Sequence, residues 1–137
     1  MKTFVLLAVL AGAAAAPAVT SEVQVIANPG IGVAELTSDD LKGIFLGAKS
    51  TIGGAAVEPV FEQTGAIHEA FLKNYLGKSD VALRNHFKTL VFTGKGAQRK
   101  AFASDAEVLK YVVGTKGAIG YVSASADTAG AKKIQIK

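Results

Sequence analysis

Runs of β-branched residues alternate with helical segments along this chain, and their order limits its fold more than any other feature. Apolar or alternating runs at residues 23–26, 57–61, 117–122 and 133–136 predict four strands. Pro59 indicates a sheet edge or a strand end, and the last run predicts a final edge strand. One helical segment follows the first strand and three follow the second. This order is typical of an α/β domain with a mixed sheet flanked by helices.

Capping residues and glycines mark where the four predicted helices begin and end. Thr37 begins the first and Gly47 ends it, the second spans residues 65–76, Ser79 caps the third, and Ser104 with Glu107 forms a capping box for the fourth. The predicted buried faces consist of apolar residues at helical spacing, namely Ile67, Ala70, Phe71 and Tyr75 in the second helix, Leu83, Phe87, Leu90 and Val91 in the third, and Val108, Leu109 and Val112 in the fourth.

The N-terminus has the three parts of a secretory signal peptide. Lys2 precedes an apolar run at residues 4–10, and Ala16-Pro17-Ala18 has the small-x-small form of a cleavage site. A transmembrane helix needs about 20 apolar residues, and the strongly apolar part is about half that length. We therefore predict a signal peptide at residues 1–18, cleaved after Ala18, and an exported periplasmic domain at residues 19–137 without a membrane span.

Composition excludes several classes of protein. Removing 18 of the 137 residues leaves 119, the size of one domain, and the chain contains no cysteine for disulfides or thiolate metal sites. Residues 81–104 hold five Lys and Arg but no acid. This basic block can attract an anion or an acidic surface, or be only a solvated face. Nucleic acid is not an expected partner of an exported domain with so few aromatic residues.

No catalytic or metal constellation is evident. His68 and His86 lie on different predicted helices without carboxylates at ligand spacing, so neither a zinc site nor any other cofactor is expected. We expect His68 to be half exposed and His86 to pack beside Phe87. The segment at residues 93–96 is a helix terminator or a small anion nest. No nucleophile is placed beside a base, so the sequence does not predict an enzyme.

Three sequence segments together resemble those of one family. They are VIANP at residues 25–29, LTSDDLKGIFLG at residues 36–47 and GAIGYV at residues 117–122. They resemble the phosphate-binding proteins of ABC importers and, more closely, the short single-domain phosphate ABC transporter substrate-binding proteins. The resemblance covers nearly all of residues 19–137 and implies a periplasmic-binding-protein-like fold. Full-length members have two lobes that close on phosphate, whereas this chain has the length of one lobe.

The resemblance also implies an anion site at the start of the second helix. In two-lobed members an Arg four residues before a Ser-Gly-Thr triplet contacts the phosphate. Phe61 and residues 65–67 occupy those positions here, so the charge-assisted hydrogen bonds of that pattern are lost. The backbone N–H groups of the helix start still favour an anion. The expected ligand-binding residues for an oxyanion such as phosphate are Gln63, Thr64, Gly65, Ala66, Lys95 and Arg99.

Two functions of different classes remain open at this point. The first is an exported solute-binding domain that binds a small anion and works with an ABC permease. The second is a single-lobe interaction module that has lost its ligand and docks on another envelope protein or on itself. If the start of the second helix is only an inherited cap that binds no ligand, the second function applies.

Overall fold

A six-stranded mixed sheet organises the molecule. The structure is a computed structural model and describes residues 23–94 and 100–137. The strands are β1 (Val23–Ala27), β2 (Glu35–Leu36), β3 (Thr51–Ile52), β4 (Ala55–Ala56), β5 (Glu58–Glu62), β6 (Lys100–Phe102), β7 (Ala118–Ser123) and β8 (Lys132–Ile136). The sheet order is β2-β8-β1-β7-β5-β6, and β3 and β4 form a separate hairpin. The predicted α/β class with a mixed sheet is confirmed.

The helices begin at the predicted caps. They are α1 (Ser38–Phe45), α2 (Ala66–Phe71), α3 (Asp80–Phe92) and α4 (Asp105–Gly114), and α2 continues into a π-helical turn at Leu72–Leu76. The side chains of Thr37, Ser79 and Ser104 each accept a hydrogen bond from a backbone N–H in the first turn. These bonds satisfy donors that would otherwise lack an intrahelical partner. No helix in residues 23–94 or 100–137 has the length and hydropathy of a membrane span.

Helices cover both faces of the sheet. Successive strand residues point to opposite faces, and accordingly Val25 and Ala27 belong to one buried cluster while Ile26 belongs to another. The larger cluster receives side chains of α1, α2 and α3, and the smaller one receives Val108 and Val112 of α4. The sheet is therefore the middle layer of a three-layer domain.

An aromatic cluster fills the larger side of the core. The Tyr121 ring lies parallel to Phe71, with ring centroids 3.9 Å apart, and Phe45 makes edge contacts with Phe61 and Phe71. Such pairs add to the stabilisation that burial alone gives. This cluster joins α1, α2, β5 and β7, which are the elements that lead to the candidate site.

One strand prediction needs correction and another is narrowed. β8 is not an edge strand, because β2 pairs with it on the side away from β1. β5 lies between β7 and β6, so of the two alternatives for Pro59 the sheet edge is wrong and the strand end is right, because Pro59 is the second residue of β5. Pro59 is tolerated there because β6 pairs only with residues 60–62. β6 itself was not predicted, and it is the edge strand on that side.

The helix faces also differ in part from the prediction. The buried residues of the α2 segment are His68, Phe71, Leu72 and Leu76, so the prediction that His68 is half exposed is wrong. The π-helical turn rotates the later residues relative to a regular α-helix. Val91 is 41% exposed, although it was predicted on the buried face of α3.

Candidate functional site

Three parallel strands end at the same edge of the sheet, and the candidate site lies there. β5 is parallel to both β6 and β7. Their last residues are Glu62, Phe102 and Ser123, and we call this margin with the segments that follow it the carboxyl edge. Both α2 and α4 begin at this edge, so two helix N-termini point their partial positive charges toward it. In open α/β sheets ligands bind outside the carboxyl ends of the strands.

Four of the predicted ligand residues lie together at this edge. Gln63, Thr64 and Gly65 form the connection between β5 and α2, Ala66 is the first residue of α2, and all four are exposed. The Gln63 N–H donates to the Phe102 carbonyl (2.8 Å), which joins this connection to the end of β6. Gly65 is the N-cap of α2 at φ 108°, and no side chain of the described residues caps the helix. Lys95 and Arg99 lie outside the described residues.

The position of the family arginine belongs to the core. Phe61 is fully buried and makes edge contacts with Phe45, Phe87 and Tyr121. A side chain there serves packing between β5 and the helices and does not reach the carboxyl edge. Residues 63–66, by contrast, are exposed at this edge.

A pair of acidic side chains also lies at the carboxyl edge. Glu62 ends β5 and is 5% exposed, and Asp105 lies in the first turn of α4. Burial raises the pKa of Glu62 to about 8, and the influence of the Asp105 carboxyl group adds to the rise. Glu62 Oε2 and Asp105 Oδ1 find no donor among the described residues. We call Glu62 and Asp105 the carboxyl pair.

Asp105 connects the carboxyl pair to a third element. Its Oδ2 accepts a hydrogen bond from the Ser123 N–H at the end of β7 (3.2 Å). The Asp105 carboxylate also lies in the first turn of α4, where the helix dipole favours negative charge. One of the two helix starts at the carboxyl edge is therefore occupied by an acidic side chain of the protein itself.

A buried polar chain supports the other side of this edge. The Tyr121 hydroxyl accepts from the Glu62 N–H (2.9 Å) and hydrogen-bonds to Nδ1 of His68, and Nε2 of His68 contacts Asp80 Oδ1 at 2.8 Å. Arg84 contacts the other Asp80 oxygen at 2.6 Å. Partial burial alone would raise the pKa of Asp80, but hydrogen bonds from His68 and Arg84 outweigh it and lower the pKa. This chain fixes the backbone of β5 where the site begins.

Both histidines have hydrogen-bond partners and ring contacts within the fold. His68 is 1% exposed within the polar chain, and His86 Nε2 hydrogen-bonds to the Leu46 carbonyl (2.6 Å) while its ring packs edge-on against Phe87. Across residues 23–94 and 100–137, no group of three His, Cys, Asp or Glu side chains is placed to hold a metal ion.

A separate pocket does not coincide with the predicted ligand residues. It has a volume of about 490 Å³ at the junction of the π-helical turn and α3. Lys73 and Lys78 line it together with Glu69 and Asp80, so its charges are mixed. None of residues 63–66 contributes to its wall.

Sequence reasoning missed the carboxyl pair and the partners of His68. Glu62 directly follows an apolar run, and Asp105 directly follows a helix cap, so both stood at predicted element ends. The carboxyl ends of neighbouring parallel strands lie at the same edge of a sheet, and this rule would have placed both residues together. It can be applied only when the pairing of β5, β6 and β7 is known, and the sequence did not reveal that pairing.

Comparison with solved structures identifies the architecture. An ABC-type phosphate transport receptor from Vibrio cholerae superposes with a TM-score of 0.66 and 19% identity, covering 84% of this chain and 46% of that one. A chain from Clostridium perfringens, described as a phosphate ABC transporter substrate-binding protein with bound phosphate, gives a TM-score of 0.65, 18% identity and 84% and 44% coverage. The fold is one lobe of a periplasmic-binding-protein-like fold.

A third structure agrees with this lobe assignment. PstS from Borrelia burgdorferi superposes with a TM-score of 0.61 and 18% identity, covering 85% of this chain and 47% of that one. The chain thus spans about half the length of the solved structures it matches. No protein-family model matches the sequence, and neither does any curated protein.

Proposed function

We propose that the protein is an exported, single-lobe solute-binding domain that binds a small oxyanion such as phosphate at the carboxyl edge. The observation that carries this proposal is the exposed start of α2 at Gly65, at the edge where such folds bind ligands. The likeness to phosphate receptors supports the same ligand class. Gln63 and Thr64 would add polar side-chain contacts, and Lys95 and Arg99 would add positive charge.

The residues of the edge favour modest affinity. A protein that grips phosphate tightly uses guanidinium and hydroxyl donors, and the corresponding positions here carry Phe61, Ala66 and Ile67. Backbone N–H groups and a helix dipole remain, and each such interaction is weaker than a bidentate arginine contact. We therefore expect binding that depends strongly on ionic strength.

Calorimetry on the purified protein tests this proposal. Phosphate and sulfate are titrated at low ionic strength, first with the native sequence and then with a Lys95→Ala, Arg99→Ala double variant. A Lys116→Ala variant is the matched control, because Lys116 precedes β7 and lies at the opposite edge of the sheet. We expect heat with the native protein and the control, and weaker binding in the double variant. Absence of heat and of any thermal shift with both anions would overturn the proposal.

Export is tested separately. We expect the protein recovered from the periplasm to begin at Val19, the residue after the predicted cleavage site. Intact-mass measurement on the secreted protein decides this. A protein that retains residues 1–18 after fractionation would contradict the export prediction without affecting the calorimetry.

A second candidate function is favoured by the outer face of α3. Phe92 is 88% exposed and Val81 is 67% exposed, and both lie on the face that carries Arg84 and Lys88. A large exposed apolar side chain beside positive charges is typical of an interaction surface. On this alternative the lobe docks on an envelope protein such as a permease subunit, or on a second copy.

Sedimentation velocity distinguishes the alternative. The native protein is compared with Phe92→Ser and, as a control, with Val113→Ser, which changes an apolar residue exposed by 37% on α4. Self-association that only Phe92→Ser abolishes would favour the interaction module. A strict monomer that also leaves a periplasmic extract without a partner would count against it.

A further inference from the structure

The pocket at the corner between the π-helical turn and α3 has the dimensions of a ligand site. Its volume is about 490 Å³, and small-molecule sites usually measure about 300–1,000 Å³. Backbone hydrogen bonds hold the corner in place. Gly77 ends the π-helical turn at φ 66°, and the N–H groups of Gly77 and Lys78 both donate to the Leu72 carbonyl. The pocket is therefore formed by a fixed stretch of backbone and does not depend on a ligand for its shape.

The wall combines apolar surface with positive charges that lack partners. Its apolar parts are Leu72 and the hydrocarbon stems of Lys73 and Lys78. Lys78 is half-buried and Lys73 is exposed. In the part of the chain that the structure describes, neither ammonium group makes a hydrogen bond or an ion pair. Water screens a half-buried charge less than an exposed one, so Lys78 favours a bound anion more than a surface lysine does.

The two acidic residues of the wall differ in how far their charge is compensated. Asp80 Oδ1 contacts His68 Nε2 at 2.8 Å, and Asp80 Oδ2 contacts Arg84 Nε at 2.6 Å. Glu69 is exposed, and its carboxylate has no ion pair within residues 23–94 and 100–137. The uncompensated charges of the wall are therefore those of two lysines and one glutamate. This balance attracts an anion of single charge, whereas a second negative charge on the ligand is repelled by Glu69.

We propose that this pocket binds a small monocarboxylic acid with an apolar body. The carboxylate of the ligand pairs with the ammonium groups of Lys73 and Lys78, and its apolar body covers Leu72 and the lysine stems. The proposal does not rest on the anion site at the carboxyl edge, because none of residues 63–66 lines the pocket. It also names a different class of ligand, since an inorganic oxyanion has no apolar surface to bury.

An NMR titration of the purified protein with hexanoate tests the proposal. The amide resonances of residues 69–80 should shift and reach saturation, with Gly77 in the pocket wall as a reporter. Acetate lacks the apolar body, 1-hexanol lacks the charge, and adipate carries a second carboxylate. Each of the three should bind severalfold more weakly than hexanoate. Absence of saturable shifts in residues 69–80 up to the solubility limit of hexanoate would overturn the proposal.

Lysine variants test which charge binds the carboxylate. Lys78→Gln should weaken hexanoate binding severalfold, and Lys78→Arg should largely retain it because the positive charge remains. Lys88→Gln is the matched control, since it removes the same charge from an exposed position of α3 outside the pocket. Equal weakening in Lys78→Gln and Lys88→Gln would mean that hexanoate responds only to the net charge of the protein, and the pocket assignment would be wrong.

A glutamate variant tests the selection against a second negative charge. In Glu69→Gln the repulsion is removed, so adipate should bind severalfold more tightly than it binds the native protein, and hexanoate should gain less. Glu107→Gln, at an exposed acid of α4, is the control. An adipate affinity that responds equally to both substitutions would contradict the role of Glu69.

Inorganic phosphate separates this pocket from the proposed function. Phosphate should leave the resonances of residues 69–80 in place at concentrations at which hexanoate saturates them. Absence of any phosphate binding would defeat the proposed function alone, because the hexanoate titration does not involve the carboxyl edge. Equal affinity of phosphate and hexanoate for residues 69–80 would show a general anion site and would overturn the proposed ligand class.

Discussion

Tyr121 and His68 are joined by a hydrogen bond of 2.5 Å in the core, between the tyrosine hydroxyl on β7 and Nδ1 of the histidine on α2. The same hydroxyl accepts from the backbone N–H of Glu62, and the far side of the imidazole contacts Asp80. A continuous polar chain thus runs from the end of β5 to the start of α3. It holds the backbone of the carboxyl edge from inside the molecule.

Replacing Tyr121 by Phe should reveal what this chain contributes. The ring and its stacking on Phe71 remain, but the Glu62 N–H and Nδ1 of His68 lose their shared partner in a buried position. An unsatisfied buried polar group costs about 1–3 kcal/mol, so the free energy of unfolding should fall by that amount. Urea unfolding measures it. Tyr75→Phe, at a half-buried tyrosine of the same core, is the control, and an equal loss in both variants would contradict the role of the hydroxyl.

The Asp80 end of the chain should make stability depend on acid. The pKa of Asp80 is lowered in the folded protein because hydrogen bonds from His68 and Arg84 outweigh the effect of burial. Its stabilisation is therefore present above the ordinary pKa of an aspartate, near 3.8, and is lost as the pH falls through the folded value.

The Asp80→Asn variant tests this predicted dependence of stability on pH. At pH 7 the variant should be less stable by about 1–2 kcal/mol, since it loses charge-assisted hydrogen bonds. Below about pH 4 the native protein loses the same stabilisation and the two unfolding curves should converge. Urea titrations from about pH 3 to pH 7 measure this, with Asp127→Asn as an exposed control. A constant difference across that range would contradict the prediction.

The local parts of this fold could be predicted from the sequence. The caps at Thr37, Ser79 and Ser104 and the runs that became β1 and β7 depend on neighbouring residues, and all of them are confirmed. The start of α2 also came from a local signal, since Gly65 precedes an apolar helical pattern, but its reading as a candidate anion site came from the family resemblance. Such features need no knowledge of which strands pair.

The parts that failed depend on distant partners. β6 has three residues and forms only because β5, forty residues earlier, pairs with it. His68 appeared half exposed because a polar residue interrupts the apolar pattern, yet Tyr121 and Asp80 satisfy it in the core. The carboxyl pair requires two element ends that only the topology brings together. A single sequence gives the least direct information about which distant segments pair in the fold.

Gly120 of β7 leaves no room for a side chain beneath α4, and an added methyl group should push the two elements apart. A Cβ at this position would lie 2.8 Å from a Val60 methyl and 2.9 Å from a Val108 methyl. Gly120→Ala should therefore lower the free energy of unfolding by about 1–3 kcal/mol through overpacking. Gly114→Ala is the control, because a Cβ there meets nothing within 4 Å. That variant should be neutral or stabilising by up to about 1 kcal/mol, and thermal unfolding compares the two.

Asn28 should be the most charge-sensitive residue at the opposite end of α4. Its Nδ2 donates to the carbonyls of Val112 and Val113 (3.0 Å each), and its Oδ1 accepts from the Gly30 N–H (2.9 Å). Asn28→Ala should cost about 1–3 kcal/mol, because two carbonyls at the helix end lose their donor.

Asn28→Asp should cost more than Asn28→Ala at pH 7. It keeps the shape of the side chain and the acceptor for the Gly30 N–H, but it places a negatively charged oxygen against the Val112 and Val113 carbonyls at the negative end of the α4 dipole. That surrounding favours the protonated form, so the difference between the two variants should shrink as the pH falls below about 4. Urea unfolding of both variants at about pH 3.5 and pH 7 measures this, with exposed Asn74→Asp as the control. Equal stability of the two variants at pH 7 would show that the lost donor, and not the introduced charge, determines the cost.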